Sequence, residues 1–297
     1  MNTAAAKKPS AGQLIIVVAI SLFSLSCLFP FIMVISGSLS TEKDIMDYGY
    51  TLIPKSVTFD SYRILLLGSN RIIDAYGISI LVTAAGTALS VFVTSMGAYV
   101  MARRSFKYRN ILSVYVIITM LFNGGLVPWY IICVHYLNLK DTLWALILPM
   151  LANAFNMFLI RNFMLSIPED LHESAKMDGA GEFLIFYRLI APLAVPVLAT
   201  VGLFVALSYW NDWFLGLMFV DKQELQPLQL LLRTLVSNVE FLKSSSNAAA
   251  MQRISAQIPS ESIKMALTVV TIGPIIFLYP FVQRFFVKGL MVGAVKG

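Results

Sequence analysis

The chain has 297 residues, of which 58% are hydrophobic and 13% charged, with a mean hydropathy of +0.77. A soluble domain carries roughly 25% charged residues, so this composition excludes a soluble enzyme, a disordered chain and a DNA-binding domain. The net charge of +6 has meaning only through where it falls along membrane-spanning segments.

A hydrocarbon core about 30 Å thick takes about 20 apolar helical residues to cross. Six runs meet that length: 14–36, 75–101, 110–133, 141–161, 187–219 and 264–287. Lipid offers no hydrogen-bond partner to an open backbone, so each is expected to be a helix. The expected fold class is all-α, a polytopic membrane protein with six transmembrane helices.

The chain opens with a tail, 1–13, carrying Lys7 and Lys8. The apolar run behind it is longer than the 7–15 residues of a signal sequence, so it reads as a retained anchor. A long loop, 37–74, follows. The second span ends in the short loop 102–110, which holds four basic residues: Arg103, Arg104, Lys107 and Arg109. The short loop 134–141 holds one, Lys140. Short loops obey the positive-inside rule, so both tails are expected in the cytoplasm, with 37–74 and 220–263 outside. The 220–263 loop contains Lys243-Ser-Ser-Ser-Asn247 and an alanine run, which read as polar and mobile. Cys27 and Cys133 fall in apolar runs and read as small core residues. His135 and His172 have no partners at ligand spacing, so no metal site is expected.

The sizeable cytoplasmic loop is 162–186. Ser166 and Glu169 have the spacing of a capping box. Pro168 suits a first helical turn, and Glu169 and Asp170 favour its positive end. Leu171 and Ala175, four apart, share one face of the short helix this predicts. Gly179 and Gly181 stop that helix, and Pro192 and Pro196 kink the next. On composition alone, this short helix is equally a plain connection or a docking element for another protein.

Glu173-Ser174-Ala175, then Asp178-Gly179, Leu189 and Pro192, resemble the EAA loop of ABC importer permeases. Ser174, Leu189 and Ala191 depart from that pattern, which has alanine, isoleucine and leucine there. Tyr209-Trp-Asn-Asp-Trp213 and the tail Phe286–Gly297 resemble the carbohydrate-uptake branch, in particular its maltose-type second permease subunit. Asn123-Gly-Gly-Leu-Val-Pro128 and the segment from Ile258 to Ala266 resemble a subgroup serving polysaccharide fragments. The resemblance runs from about residue 14 to the end.

The resemblance implies a type I ABC importer permease fold, with 14–287 as the membrane domain and 288–297 as a cytoplasmic tail. It implies a second permease subunit, two ATPase subunits and an external solute-binding protein as partners, in the inner membrane of a bacterium. Glu173, Ser174, Ala175, Asp178, Gly179 and Pro192 would couple to the ATPases, and Lys288 and Lys296 in the tail would touch them. The external 220–263 loop would probe the delivered sugar. The cargo would be an oligosaccharide or polysaccharide, uronate-rich fragments such as alginate or pectin included.

The chain has no G-x-x-x-x-G-K-[ST] phosphate loop and no charge deep in a span. It is therefore expected to be no enzyme and to hold no cofactor; ATP and Mg would belong to the partner ATPases. Sugar sites favour aromatic faces beside amides or hydroxyls. Asn153 and Asn156, three apart on one helical face, and Tyr209, Trp210, Asn211 and Asp212 are the candidates for the substrate pathway. For Trp210 the competing role is an interfacial belt, and for the two asparagines interhelical bonding. A six-span secondary carrier or channel, or an ABC permease for a non-sugar solute, are the alternative readings.

Overall fold

A computed structural model describes residues 11–67, 71–244 and 261–276. Every regular element among them is helical, and the one β pairing is an isolated bridge between Ser40 and Val57. The chain divides into two compact units, Met1–Ser69 with Leu235–Thr271, and Asn70–Thr234 with Ile272–Gly297.

In the first unit, α1 spans Ala11–Ser38. It is apolar around its whole circumference and its side chains are exposed from Gly12 to Phe31. Cys27 is among them, so it is not the core residue expected from its apolar neighbours. Such a helix has no polar face to offer water and needs lipid or another helix around it. Two short helices follow, α2 (Glu42–Tyr48) and α3 (Asp60–Leu67). Thr41 caps α2, accepting from the Asp44 N–H at 3.2 Å, and Gly49 ends it at φ 73°. The Glu42 carboxylate accepts from the Glu261 and Ser262 N–H groups at 3.0–3.1 Å. It thereby caps the helix over 261–276 from a distant part of the chain, where an anion meets free N–H groups and the positive helix end. Tyr50 adds a bond to the Glu261 carboxylate at 2.7 Å.

The second unit is organised on α4 (Arg71–Ala102), a 32-residue helix. After it come α5 (Arg109–Leu121) and α6 (Leu126–Ile131), which continues as a π turn over Ile132–Tyr136. Next are α7 (Trp144–Ile147) with a 3-10 turn to Met150, and α8 (Ala154–Met164). Then come α9 (Glu169–Met177), α10 (Glu182–Ile185) with a π turn to Ile190, and α11 (Ala191–Leu193). The last are α12 (Val195–Asn211), α13 (Phe214–Phe219) and the start of α14 (Leu228–Ser244), whose residues from Leu235 on belong to the first unit. Helix α4 packs along α12 and α8, and small residues permit the approach. A Cβ on Gly86 would lie 2.7 Å from the Tyr209 ring, and one on Gly97 would lie 2.9 Å from Met157.

The expectation of a continuous helix in every span fails in three places. Two helices, Gly12–Ser38 and Arg71–Ala102, are unbroken and long enough to cross a membrane. Three other apolar stretches are bent pairs among the described residues: Arg109–Leu121 with Leu126–Tyr136 at 112°, Trp144–Met150 with Ala154–Met164 at 53°, and Glu182–Leu193 with Val195–Asn211 at 84°. The third bend lies at Pro192 and Pro196, as the sequence predicts. At the other two, local side chains take the freed backbone groups. Asn123 accepts from Gly125 N–H at 2.8 Å, with Gly125 at φ 88°. Asn153 accepts from Asn156 N–H at 3.0 Å. The Tyr209 hydroxyl donates to the Ile147 carbonyl at 2.8 Å, at the end of α7. A break in apolar surroundings survives only if such groups are satisfied. Part of the expected 220–263 loop is also helix, since α14 occupies Leu228–Ser244, while most of the segment read as mobile lies outside the described residues.

Candidate functional site

The segment that resembled a docking loop folds as expected in outline. Helix α9 ends at Gly179, whose φ of 79° only glycine adopts without strain. Gly179 N–H bonds to the Lys176 carbonyl and Ala180 N–H to the Ala175 carbonyl, both at 3.0 Å. That pair is the Schellman closure of a helix C-terminus. Asp178 is the C-cap, and Gly181, with an ordinary φ of −71°, opens α10.

The capping box does not form. Pro168 is the N-cap and carries no side-chain acceptor, so the helix starts two residues later than the box requires. The Ser166 hydroxyl turns back to the Phe163 carbonyl at 2.7 Å. Glu169 is thus free to reach the end of α4, where it meets Arg103 at 2.8 Å and Arg104 at 3.8 Å.

Glu173 and Ser174 point outward and are exposed, while Ala175 is half-buried against the core. The outer surface also carries Met177, Phe183 and Tyr187, each more than 60% exposed. The single buried residue of α9 is His172. Its Nε2 lies 2.8 Å from the Tyr99 hydroxyl and 3.1 Å from the Glu182 carboxylate, and Tyr99 donates to that carboxylate at 2.6 Å. Arg103 and Lys176 approach Glu182 at 3.6 and 3.4 Å. Burial opposes ionisation of Glu182, yet the Tyr99 hydroxyl, the Arg103 guanidinium and His172 together hold its carboxyl below the ordinary glutamate value. A cleft of about 380 Å³ opens beside this cluster, with Arg103, Arg104, Glu169, Asp170 and His172 on its walls.

The sequence reading singled out the outer face of α9 and passed over the inner one. His172, read in the sequence only for metal-ligand spacing, has hydrogen-bond partners 73 and 10 positions away in the chain. The available signal was charge complementarity: acids at 169, 170 and 182 against the basic 102–110 loop.

The pathway candidates are dispersed over several local roles. Asn153 is the N-cap of α8 with an extended backbone (φ −114°, ψ 121°), so it and Asn156 do not share a helical face; Asn156 is buried. Tyr209 is buried over Gly86 with its hydroxyl on Ile147. Trp210 is buried, its ring centroid 6.1 Å from that of Tyr76, rather than lying at an exposed belt. Asn211 bonds to the Leu207 carbonyl and accepts from Gln229 at 3.3 Å. Asp212 caps α13 through Leu215 N–H at 3.1 Å. It also borders a pocket of about 630 Å³ with Asn123, Trp129 and Phe214. The Trp129 and Phe214 rings stack there, with centroids 6.5 Å apart. Pro192 lies in α11 at the 84° bend. Lys288 and Lys296 lie outside the described residues. No group of three His, Cys, Asp or Glu that could hold a metal occurs among the described residues.

Residues 94–292 match the family described as "Binding-protein-dependent transport system inner membrane component". Protein LplC of Bacillus subtilis is 40% identical over 272 residues, which is 91% of this chain and 90% of that protein. The polygalacturonan/rhamnogalacturonan transport system permease protein YtcP, from the same organism, is 38% identical over 93% of this chain and 95% of its own. A bacterial ABC transporter involved in the import of the acidic polysaccharide alginate has a chain of similar structure. Its TM-score is 0.82 at 28% identity, covering 95% of this chain and 98% of that one.

Proposed function

The chain belongs to the family of binding-protein-dependent transport system inner membrane components, and on that premise we propose that it is the permease subunit of an ATP-driven importer of acidic oligosaccharides. Two supports for the cargo are the polygalacturonan-type transport of YtcP and the alginate import of the structural relative. The pocket beside Asp212 offers the stacked faces of Trp129 and Phe214, which suit a sugar ring. Asn153, Asn156, Tyr209, Trp210 and Asn211 are not on the walls of that pocket and support the pathway through the backbone bonds and packing described above. The partners are a second permease, two ATPase subunits that supply ATP and Mg, and an external binding protein that meets the 220–263 region.

The observation that carries this reading is the form of α9. It is a short exposed helix, closed by Gly179 and joined by Glu169 to Arg103, the residue after α4. A connection between two spans needs no such attachment. Its outer residues Glu173 and Ser174, together with Asp178, dock on an ATPase, with Ala175 packed behind them against the core and Glu173 meeting a basic side chain there. Lys288 and Lys296 add a second contact. In this arrangement both termini are cytoplasmic and the chain makes six passes. Five are α1, α4 and the three bent pairs, and the sixth begins in the helix over 261–276.

The test is purification of the tagged chain from its native host, followed by ATPase assays with the co-purified binding protein. An ATPase and a second permease should come with it, and oligogalacturonides or alginate oligomers should stimulate hydrolysis. Recovery of the chain alone, with uptake insensitive to ATP depletion, would show a secondary carrier or channel instead.

A further inference from the structure

Among the described residues no ionisable side chain is more deeply buried than His172, which is 2% exposed. It is also the one buried residue of α9; Leu171, Glu173, Ser174 and Met177 are exposed and Ala175 is half-buried. The hold of the protein on this helix is therefore concentrated in one imidazole and the two ion-pairing residues at the helix ends. The imidazole sits in a closed triangle. Tyr99 donates to the Glu182 carboxylate at 2.6 Å, and His172 Nε2 lies 2.8 Å from the Tyr99 oxygen and 3.1 Å from the same carboxylate oxygen. Facing a carboxylate, Nε2 is the nitrogen that carries the proton. Nδ1 is buried and without a hydrogen-bond partner, so the ring has all its polar contacts on one side.

The three corners belong to three elements. Tyr99 lies near the end of α4, His172 in the middle of α9, and Glu182 is the first residue of α10. Around the triangle, Arg103, the residue after α4, binds Glu169 at 2.8 Å and approaches Glu182 at 3.6 Å, and Lys176 of α9 closes on Glu182 at 3.4 Å. The Tyr99 ring is stacked on His172 and tilted against Phe186, with centroids 6.2 and 5.3 Å apart. The 178–181 turn between α9 and α10 has no such bracing of its own, and Cβ atoms built on Gly179 and Gly181 meet nothing within 4 Å.

We propose that Tyr99, His172 and Glu182 are positioning residues that fasten α9 to α4, so that a displacement of α9 is delivered to the long helix instead of being absorbed in the 178–181 turn. This rests on the reading that α9 receives motion from an ATPase. Helix α4 is the right recipient, because it packs against both α8 and α12 and its movement carries theirs. A buried polar network in which only His172 Nδ1 and Arg103 Nε lack a hydrogen-bond partner holds one arrangement far better than apolar contacts of the same area, because sliding would leave charged groups unpaired.

The experiment uses the intact transporter in proteoliposomes and reads substrate moved per ATP hydrolysed. Tyr99→Phe removes one oxygen and keeps the ring; His172→Leu removes the ring nitrogens; His172→Gln restores a donor at a similar reach. Both deletions should lower the transport-to-hydrolysis ratio about fivefold or more, and His172→Gln should recover part of it. A ratio within about twofold of wild type in Tyr99→Phe overturns the proposal, even if His172→Leu fails to assemble. If the wild-type chain brings down no ATPase, the coupling reading itself fails. If the wild type couples and Tyr99→Phe couples equally well, only this inference does.

Discussion

Arg103, at the end of the longest helix of the second unit, holds the Glu169 carboxylate at 2.8 Å. Its side chain is 11% exposed and that of Glu169 30%, so the pair is more than a surface contact. Buried ion pairs are costly to break one partner at a time, because the remaining charge stays desolvated. Arg103→Met should therefore destabilise the protein by about 1–3 kcal/mol. Arg103→Lys should recover only part, since a single ammonium cannot serve Glu169 and Glu182 together. Thermal unfolding of the detergent-solubilised complex measures both; a melting temperature equal to wild type in Arg103→Met would place the pair among the inconsequential ones.

Glu182 gives a pH dependence with a definite sign. Tyr99 from α4, Arg103 just after it, and His172 and Lys176 from α9 face it, and its carboxyl lies below the ordinary value despite burial. A depressed carboxyl stabilises the fold fully above the ordinary glutamate pKa, and that contribution disappears as pH falls through the depressed folded value. The wild-type protein should thus lose thermal stability on acidification below the ordinary glutamate range. Glu182→Gln should start lower at neutral pH and show a shallower acid slope. Parallel curves for the two proteins would contradict the assignment.

Gly179 tests backbone against surface. At φ 79° a residue with a Cβ is strained by about 1–2 kcal/mol, and asparagine tolerates the region better than alanine. A Cβ there meets nothing within 4 Å, so strain and not collision sets the effect. Gly179→Ala should reduce coupled transport more than Gly179→Asn. Gly179→Asp and Glu173→Ala should uncouple hydrolysis from uptake, while Glu173→Ala, an exposed site, should leave the melting temperature unchanged. Equal coupling in all four variants would remove this turn from the docking surface.

The contact between Gly86 and Tyr209 makes a packing prediction. A methyl at 86 would lie 2.7 Å from the ring, so Gly86→Ala should cost about 1–3 kcal/mol as overpacking. Tyr209→Phe keeps the ring and strands the Ile147 carbonyl, so it should cost about 1–3 kcal/mol by a different route. Adding Tyr209→Leu to Gly86→Ala should relieve the clash but not the lost hydrogen bond. Melting temperatures of the single and double variants separate the two; strict additivity would mean that the residues do not touch.

The membrane class, the positions of the apolar runs, the short helix after Pro168 and its stop at Gly179 were legible in the sequence. All depend on local properties: hydropathy over a window, a proline at a helix start, and a glycine where φ must be positive. The bend at Pro192 and Pro196 was legible for the same reason. The breaks after Leu121 and Met150 were not. Nothing in an apolar run says that Asn123, Asn153 or Tyr209 will take over freed backbone groups until their partners stand beside them.

The same holds for the inner face of α9. Ser166 and Glu169 had the spacing of a capping box, but that spacing is a local preference, and the Arg103 guanidinium 66 residues away outcompeted it. His172 looked solitary because its partners are Tyr99, brought by α4, and Glu182, brought by the turn at Gly179. Sequence by itself determined that this chain lives in a membrane and presents a short helix at one end. Only the tertiary structure decided what that helix is attached to, because a buried charge or hydroxyl takes its partner from whichever segment packing brings within about 3 Å.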